Sequence, residues 1–296
     1  MNTEANYSIK DLEKLSGIKA HTLRIWEKRY SIFTPQRTDT NIRMYSNEEL
    51  RKILNISLLN KNGFKISSIA SMVPNEVAQL VASINLVKTE NEDLIDSFIL
   101  SMIDLDEPFF DKTFNSCIIK MGFESTIQDI IFPFLSRIGT MWQSGSINPA
   151  QEHFVSNIIR QKMIVAIDGI KSSSIQKQMQ TFVLFLRENE LHEMVILFYN
   201  YALRSRGYRT IYLGQSVPVI DLERVVHIIR PDFILTVATN PFSPKEWKEF
   251  KSNIDLLSTK TSIYLTGKPL QEFENQTNKN ILFFKSLPEL IKLVSR

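Results

Sequence analysis

Cysteine, histidine and glycine are scarce in this sequence, and each shortage excludes a class of protein. A single cysteine, Cys117, rules out an intramolecular disulfide and suits a reducing compartment. One cysteine and 4 histidines provide no Cys/His cluster for a structural zinc site. With 9 glycines, 11 prolines and 43% apolar residues, the composition favours an ordered, helix-rich chain over a disordered one.

Long apolar runs and a targeting segment are also missing. No apolar run approaches the ~20 residues that a membrane-spanning helix needs. The N-terminal residues MNTEANYS lack the basic start and apolar core of a secretory signal. We therefore expect a cytoplasmic protein without a membrane segment. Its 296 residues exceed one ordinary core and predict two or three domains.

The first segment has the pattern of a winged helix-turn-helix. Ser8 can cap a short helix, and Gly17 can supply the turn after it. A second helix is expected from about Lys19 until Pro35 stops it, and the polar loop that follows suits a strand-turn-strand wing on a phosphate backbone.

The second helix and the wing predict a DNA-reading surface. Leu23, Trp26 and Ile25 are expected to face inward, so that cations and hydrogen-bond donors point into a groove. The residues predicted to contact DNA are His21, Thr22, Arg24, Lys28, Arg37, Asn41, Arg43 and Tyr45.

Positive charge is concentrated in this same segment. Residues 1–75 contain 12 Lys and Arg against 7 Asp and Glu, whereas the rest of the chain contains 23 against 25. The potential that attracts phosphate is therefore local, which predicts double-stranded promoter DNA as a partner and salt-sensitive binding.

The motif LRIWEKRY, followed by PQRTDTNIRMY, resembles the winged helix-turn-helix of MerR-type transcription regulators over about the first quarter of the chain. The usual Gly-Tyr before the wing arginine reads Asn41-Ile42 here. The resemblance implies a DNA-binding transcription regulator. Such chains pair symmetrically on palindromic sites, which implies a homo-oligomer, either a dimer or a tetramer.

The middle third has the spacing of a helical bundle. Its last helix has a clear start, with Asn148 as cap, Pro149 at the first position and Gln151 placed to bond back to the cap. Glu152 falls on the apolar stripe of that helix and needs a partner or a ligand. The predicted helices span residues 76–92, 93–104, 107–121, 124–142 and 149–170.

From Thr181 onwards, short apolar strands alternate with helices. The strands TFVLFLR, TIYLG, FILTV, SIYLT and ILFF predict a doubly wound, mostly parallel, Rossmann-like sheet. Ligands of such sheets bind beyond the carboxyl ends of the strands, where His192 follows the first strand. An exposed imidazole can bind a metal through one nitrogen while Glu190 accepts a hydrogen bond from the other.

Glu190-Leu191-His192, followed by RSRGYRTIYLGQSVP, is similar to the cobalamin-binding domain whose loop reads Asp-x-His-x-x-Gly. In that family the His is the lower ligand of cobalt. Trp142 and Glu152-His153 resemble the Trp-x9-Glu-His signature of light-responsive regulators of the CarH/LitR type, where these side chains cover the upper, adenosyl face of the cofactor. The resemblance implies adenosylcobalamin as cofactor, His192 as metal ligand and a binding set of Trp142, Glu152, His153, Glu190, His192, Thr239 and Gly267.

Several positions differ from that pattern and leave alternatives open. Glu190 replaces Asp, Val195 replaces the loop glycine, Gln143 replaces a His of some relatives, and Thr266-Gly267 replaces the Gly-Gly that leaves room for the nucleotide tail. Either cobalamin fixes the bundle against the sheet and controls assembly on DNA, or the sheet is a retained scaffold that serves oligomerisation or another ligand.

A cobalamin carrier module of a methyltransferase-like enzyme is the remaining alternative. No Gly-rich phosphate loop and no nucleophile–base pair supports catalysis, and a carrier has no need of a helix-turn-helix. We therefore expect a regulator that is not an enzyme. The expected fold is α + α/β multidomain: a winged helix-turn-helix over 1–73, a cap-like bundle over 76–174 and a Rossmann-like domain over 178–296.

Overall fold

A computed structural model describes residues 7–38, 41–83, 91–143, 147–170 and 180–295. Within these ranges, none of the helices combines the length and apolar character that crossing a membrane requires. The chain divides into two compact units, Met1–Ile158 and Ile159–Arg296, and each is described by itself.

The first unit begins with the predicted winged helix-turn-helix. Ser8 and Asp11 form a reciprocal capping box at the first helix, and Gly17 closes that helix in the left-handed conformation. The second helix ends at Tyr30, before the predicted stop at Pro35, because Ser31 already takes a left-handed φ of 52°. The elements are β1 (Tyr7–Ser8), α1 (Ile9–Ser16), α2 (Ala20–Tyr30), β2 (Gln36–Arg37), β3 (Arg43–Tyr45), α3 (Asn47–Lys61), α4 (Ile66–Ile69) and α5 (Pro74–Ser83).

The wing is a small antiparallel sheet. Its strand order is β1-β3-β2, with Arg37 opposite Arg43 and Tyr7 opposite Tyr45. The central strand β3 therefore pairs with both β2 and β1.

The helical bundle follows, and its last helix runs on into the second unit. Gly122, with φ of 80°, interrupts the second of these helices, and the predicted 124–142 helix begins as a π-helix over Thr126–Ile131. The predicted cap is confirmed, because the backbone N–H of Gln151 donates to Asn148 Oδ1 and that of Asn148 donates to Gln151 Oε1. The α-helices are α6 (Asn91–Asp104), α7 (Glu107–Ser125), α8 (Phe132–Gln143) and α9 (Pro149–Asp168).

A buried carboxylate links the helix-turn-helix to the bundle. Asp96 of α6 is fully buried and lies 2.8 Å from Lys61 Nζ of α3 and 2.9 Å from Arg137 Nη1 of α8. Burial raises the pKa of Asp96 above its ordinary value, and the two cations reduce this rise without cancelling it. One carboxylate thereby joins three helices.

The second unit is a five-stranded parallel sheet, as predicted. Its strand order is β5-β4-β6-β7-β8, and the side chains of α11 and α12 pack on one face in a core that includes Phe185, Ile234 and Trp247. The elements are β4 (Thr181–Arg187), α10 (Met194–Ser205), β5 (Arg209–Val217), α11 (Val219–Ile229), β6 (Phe233–Val237), α12 (Pro244–Leu257), β7 (Ser262–Thr266), a 3-10 helix (Lys268–Gln276), β8 (Ile281–Phe283) and α13 (Leu287–Val294).

The strand order places a topological switch at the carboxyl ends of β4 and β6. The chain leaves β4 towards β5 on one side, whereas it leaves β6 towards β7 on the other side. Loops that diverge in this way open a crevice, which is where open α/β sheets bind ligands.

The loops after β6 and β7 touch each other closely. The backbone N–H of Ala238 donates to Thr266 O over 2.9 Å, and a Cβ added at Gly267 would lie only 1.9 Å from the carbonyl oxygen of Ala238. Gly267 also has a φ of 125°, which L side chains rarely adopt. Glycine is therefore required here by the protein's own backbone.

Removing the shared carboxylate should weaken the first unit. In Asp96→Ala, Lys61 and Arg137 lose their common partner, and we expect the free energy of unfolding to fall by about 3 kcal/mol in urea titrations followed by circular dichroism. The control is Arg51→Ala, which breaks the more exposed pair with Asp104 and should lower stability by less than about 1 kcal/mol. Equal losses in the two variants would contradict the role assigned to Asp96.

Adding one methyl group at Gly267 should be destabilising for steric reasons. We expect Gly267→Ala to lower the free energy of unfolding by about 3 kcal/mol, because the new Cβ overlaps the backbone of Ala238. Gly139→Ala is the matched control, since no atom lies within 4 Å of its added Cβ in helix α8, and it should raise stability by up to about 1 kcal/mol. Thermal denaturation of both variants tests this difference in stability. A Gly267→Ala protein as stable as the wild type would contradict the steric argument.

Candidate DNA interface and cofactor site

Helix α2 presents one continuous exposed face. His21, Arg24, Ile25 and Lys28 follow the i, i+3, i+4, i+7 spacing that lies along one side of a helix, and all four are exposed. The expectation that Ile25 faces inward is wrong, because it is 54% exposed. Leu23 takes the buried position, and residues two apart on a helix point about 200° apart, so the two cannot share the inner side.

Glu27 connects α2 to the wing. Arg43 Nε lies 3.1 Å from both carboxylate oxygens of Glu27, and the Tyr45 hydroxyl donates to Glu27 Oε2 over 3.4 Å. The Glu27 contact uses only Nε of Arg43, so the two Nη groups are the donors that can reach a phosphate. Glu27 was not among the predicted site residues, although the Leu-Arg-x-Trp-Glu motif contains it.

Tyr45 supports the wing from inside. It is 1% exposed, so the structure does not present it to a duplex, contrary to the predicted DNA contact. Burial, together with the negative charge of Glu27, raises the pKa of Tyr45 to about 12, which keeps the phenol protonated and able to donate.

Asn41 in the wing keeps a backbone conformation that glycine adopts readily. Asn41 has a φ of 62°, a conformation that Asn tolerates better than most residues, and its Oδ1 accepts from Arg37 Nη1 over 2.6 Å. Both side chains are exposed, whereas Thr22 on α2 is partly buried. Residues 39–40, between the two wing strands, lie outside the described residues.

In the bundle, the structure brings two of the three predicted cofactor residues together. His153 Nδ1 lies 2.7 Å from Glu152 Oε2 in the first turn of α9, so the partner expected for Glu152 is its chain neighbour. The imidazole of His153 is well exposed. Trp142 lies near the end of α8, but its side chain is outside the described part of the structure.

At the switch point of the sheet, Glu190 holds His192. Glu190 is fully buried, and its Oε1 lies 2.8 Å from Nδ1 of His192, whose side chain is 65% exposed. If Nδ1 carries the proton towards Glu190, Nε2 is the nitrogen that would bind a metal. The longer arm of glutamate therefore reaches the imidazole, as the sequence predicted.

The loop after β6 supplies the remaining donors to Glu190. The backbone N–H groups of Thr239 and Asn240 donate to Oε2 over 3.0 and 2.9 Å, and the Thr239 hydroxyl and Asn240 Nδ2 donate to Oε1. Burial opposes ionisation of Glu190, but these hydrogen bonds and that from His192 lower its pKa to about 2. Glu190 is therefore a carboxylate over the whole physiological range.

Two of the predicted cofactor residues, Thr239 and Gly267, thus already make close contacts within the protein. Thr239 uses both its backbone N–H and its hydroxyl on Glu190, and Gly267 is packed against the backbone of Ala238. Their observed contacts shape the edge of the sheet, and a direct role of either residue towards a cofactor stays a prediction.

Arg187 also binds the loop after β6. Its Nη2 donates to the carbonyl oxygens of Asn240 and Pro241, and its guanidinium lies 3.8 Å from the ring centre of Phe242. Glu190 therefore binds the N–H groups of the loop while Arg187 binds its carbonyl groups. No sequence pattern pointed to Arg187 or Asn240.

Glu193 anchors the far end of the His192 loop. It accepts a hydrogen bond from the Tyr212 hydroxyl over 2.8 Å and forms an ion pair with Arg160 of α9. With Glu190 on one side of His192 and Glu193 on the other, both flanks of the exposed imidazole are tied to the fold.

The residues at this edge fit a cobalt-containing cofactor. A histidine oriented by a buried carboxylate is the arrangement expected of a metal ligand. In addition, Thr236 is 2% exposed, lies between Phe185 and Leu265 on neighbouring strands, and its hydroxyl has no hydrogen-bond partner among the described residues. Leaving a buried hydroxyl unpaired costs about 1–3 kcal/mol, so a polar group of a ligand would relieve it.

Family models match two segments of the chain. The MerR HTH family regulatory protein model matches residues 7–76, which contain the helix-turn-helix and its wing. The B12 binding domain model matches residues 94–166, which contain the helical bundle.

Two relatives span most of the chain, and a third matches about a quarter of it. The HTH-type transcriptional repressor CarH of Myxococcus xanthus is 27% identical over 237 residues, which cover 78% of this chain and 78% of CarH. The repressor CarA of the same organism is 24% identical over 241 residues, covering 81% and 78% of the two chains. The regulator MlrA of Escherichia coli K12 is 33% identical over 72 residues, which are 24% of this chain and 30% of MlrA.

Among solved structures, the monomethylamine corrinoid protein of Methanosarcina barkeri shares the fold. Its TM-score is 0.55 at 12% identity, and the match covers 69% of this chain and 98% of that chain. The chain thus joins a MerR-type helix-turn-helix to a B12-binding-domain segment and is homologous, over most of its length, to the CarH and CarA repressors.

Proposed function

We propose that this protein is a transcriptional repressor that binds promoter DNA through α2 and the wing and binds cobalamin at the carboxyl edge of the sheet. The observation that carries the proposal is the exposed imidazole of His192, oriented by the buried Glu190 at the switch point, in a chain that also contains a MerR-type helix-turn-helix. Repression is proposed because the two relatives that span most of the chain are repressors.

The DNA-binding step rests on charge and preorganisation. His21, Arg24 and Lys28 would face the major groove, and Arg43, held through Nε by Glu27, would donate from its Nη groups to the backbone. Because Glu27 fixes the guanidinium before DNA arrives, little side-chain freedom is lost on binding.

The cofactor step rests on the contacts of the second unit. His192 would bind cobalt through Nε2, Glu190 would keep the imidazole oriented, and the Thr236 hydroxyl would form a hydrogen bond to a polar group of the cofactor. When bound, adenosylcobalamin would supply a light-sensitive cobalt centre. Trp142, Glu152 and His153 are proposed to respond to the state of that centre.

We further propose that cofactor state and light change the number of copies that assemble on DNA, between dimer and tetramer. The three-domain division at 1–73, 76–174 and 178–296 is part of this proposal. The first compact unit, Met1–Ile158, contains both the helix-turn-helix and most of the bundle, so the first boundary lies inside that unit.

Removing one guanidinium from the reading face should weaken DNA binding. We expect Arg24→Ala or Arg43→Ala to raise the Kd for a selected duplex about tenfold, and loss of a phosphate contact should reduce the log–log salt slope by about 0.9. Fluorescence anisotropy at several salt concentrations measures both. Lys52→Ala is the control, because Lys52 on α3 pairs with Glu48 at the surface, and it should change Kd less than about twofold. Unchanged binding in both arginine variants would show that the interface is misassigned.

The visible absorbance of the gel-filtered protein tests cobalamin binding. Purified protein mixed with adenosylcobalamin in darkness and gel-filtered should elute coloured, and His192→Ala should change its visible spectrum because the lower ligand is lost. His227→Ala is the matched control, since it removes another exposed histidine, on α11, and should leave the spectrum unchanged.

Two results would contradict different parts of this proposal. A colourless protein fraction would exclude cobalamin and favour the sheet as a scaffold for oligomerisation or another ligand. A coloured His192→Ala fraction with an unchanged spectrum would exclude only the ligand assignment. Sedimentation of the loaded protein before and after illumination tests the assembly step.

A further inference from the structure

An isoleucine lies at the centre of the basic face of α2. Ile25 is 54% exposed, and its neighbours along the face are His21 and Arg24 before it and Lys28 after it. An exposed apolar side chain is common on protein surfaces and by itself indicates nothing. Ile25 is unusual because the imidazole of His21 and the guanidinium of Arg24 precede it on the face and the ammonium group of Lys28 follows it.

The setting of α2 prevents Ile25 from turning inward. Leu23 is buried in the core, and Glu27 binds Arg43 on the wing, so the rotation of the helix about its axis is fixed by two contacts. A β-branched side chain also has little rotamer freedom on a helix, so Ile25 is presented rigidly. Any surface that α2 approaches must therefore accept a branched apolar group.

DNA offers one such group in the major groove. Among the base edges exposed there, only thymine carries a methyl, at C5, and apolar side chains recognise it by contact. Phosphates and base acceptors match His21, Arg24 and Lys28, which leaves the thymine methyl as the match for Ile25. This reasoning depends on the proposed binding of α2 to DNA.

We propose that Ile25 is a specificity residue that packs against the C5 methyl of a thymine under α2. The preferred site then contains an A·T pair whose thymine faces the helix. Uracil at that position keeps the base pair and its hydrogen bonds but lacks the methyl, which makes it the direct probe.

The experiment begins with selection of duplexes from a random pool by the full-length protein. Each thymine of the selected sequence is then replaced singly by uracil, and Kd is measured for the wild type and Ile25→Ala. We expect one position at which uracil weakens wild-type binding about fourfold, the value for one buried methyl group. At that position, Ile25→Ala should bind thymine and uracil duplexes equally.

Ile42→Ala is the matched control, because Ile42 is an equally exposed isoleucine, at 56%, but belongs to the wing. It should retain the discrimination between thymine and uracil. If no single uracil weakens wild-type binding, or if the effect persists in Ile25→Ala, the proposal is overturned while DNA binding stands. If no duplex is selected even at low salt, the proposed function itself fails, and this inference fails with it.

Discussion

The buried charge of Glu190 organises the carboxyl edge of the sheet. A carboxylate out of contact with water stays ionised only where donors surround it, and here they come from His192 and from the loop after β6. One charge thereby joins two loops that leave the sheet in opposite directions. Arg187 binds the carbonyl groups of the same loop, so its backbone is held through both kinds of polar group. The exposed imidazole rests on this arrangement.

The first unit contains two further carboxylates that each join separate elements. Glu27 accepts from Arg43 and Tyr45 and so makes the wing and α2 a single surface, whereas Asp96 joins α3 of the helix-turn-helix to α6 and α8 of the bundle. In each case the carboxylate makes bonds to elements distant in the chain. A charge-assisted hydrogen bond has a narrow range of geometry, so each of these carboxylates restricts how the elements that it joins can pack.

Regular periodicity explains most of what could be predicted. The five strands begin and end within a few residues of their expected limits, and the capping pair of Asn148 and Gln151 forms as expected. The errors arise where several local signals compete. Ile25 and Leu23 are both apolar, but only one of two residues that point about 200° apart can be inward. The left-handed conformation of Ser31 ends α2 before Pro35. The sequence did not predict this end, because a left-handed residue leaves no trace in the apolar pattern.

The sequence by itself determined the order of the elements, the parallel sheet and the edge on which His192 lies, because these follow from apolar period and from neighbours along the chain. Only the tertiary structure decided three features. Thr239 and Asn240 donate hydrogen bonds to Glu190, the backbone of Ala238 occupies the space beside Gly267, and Ile25 is exposed between the basic side chains of α2. The physical reason is range. The partners of Glu190 lie 49 and 50 positions away, and no local pattern encodes which distant loop returns to a given carboxylate.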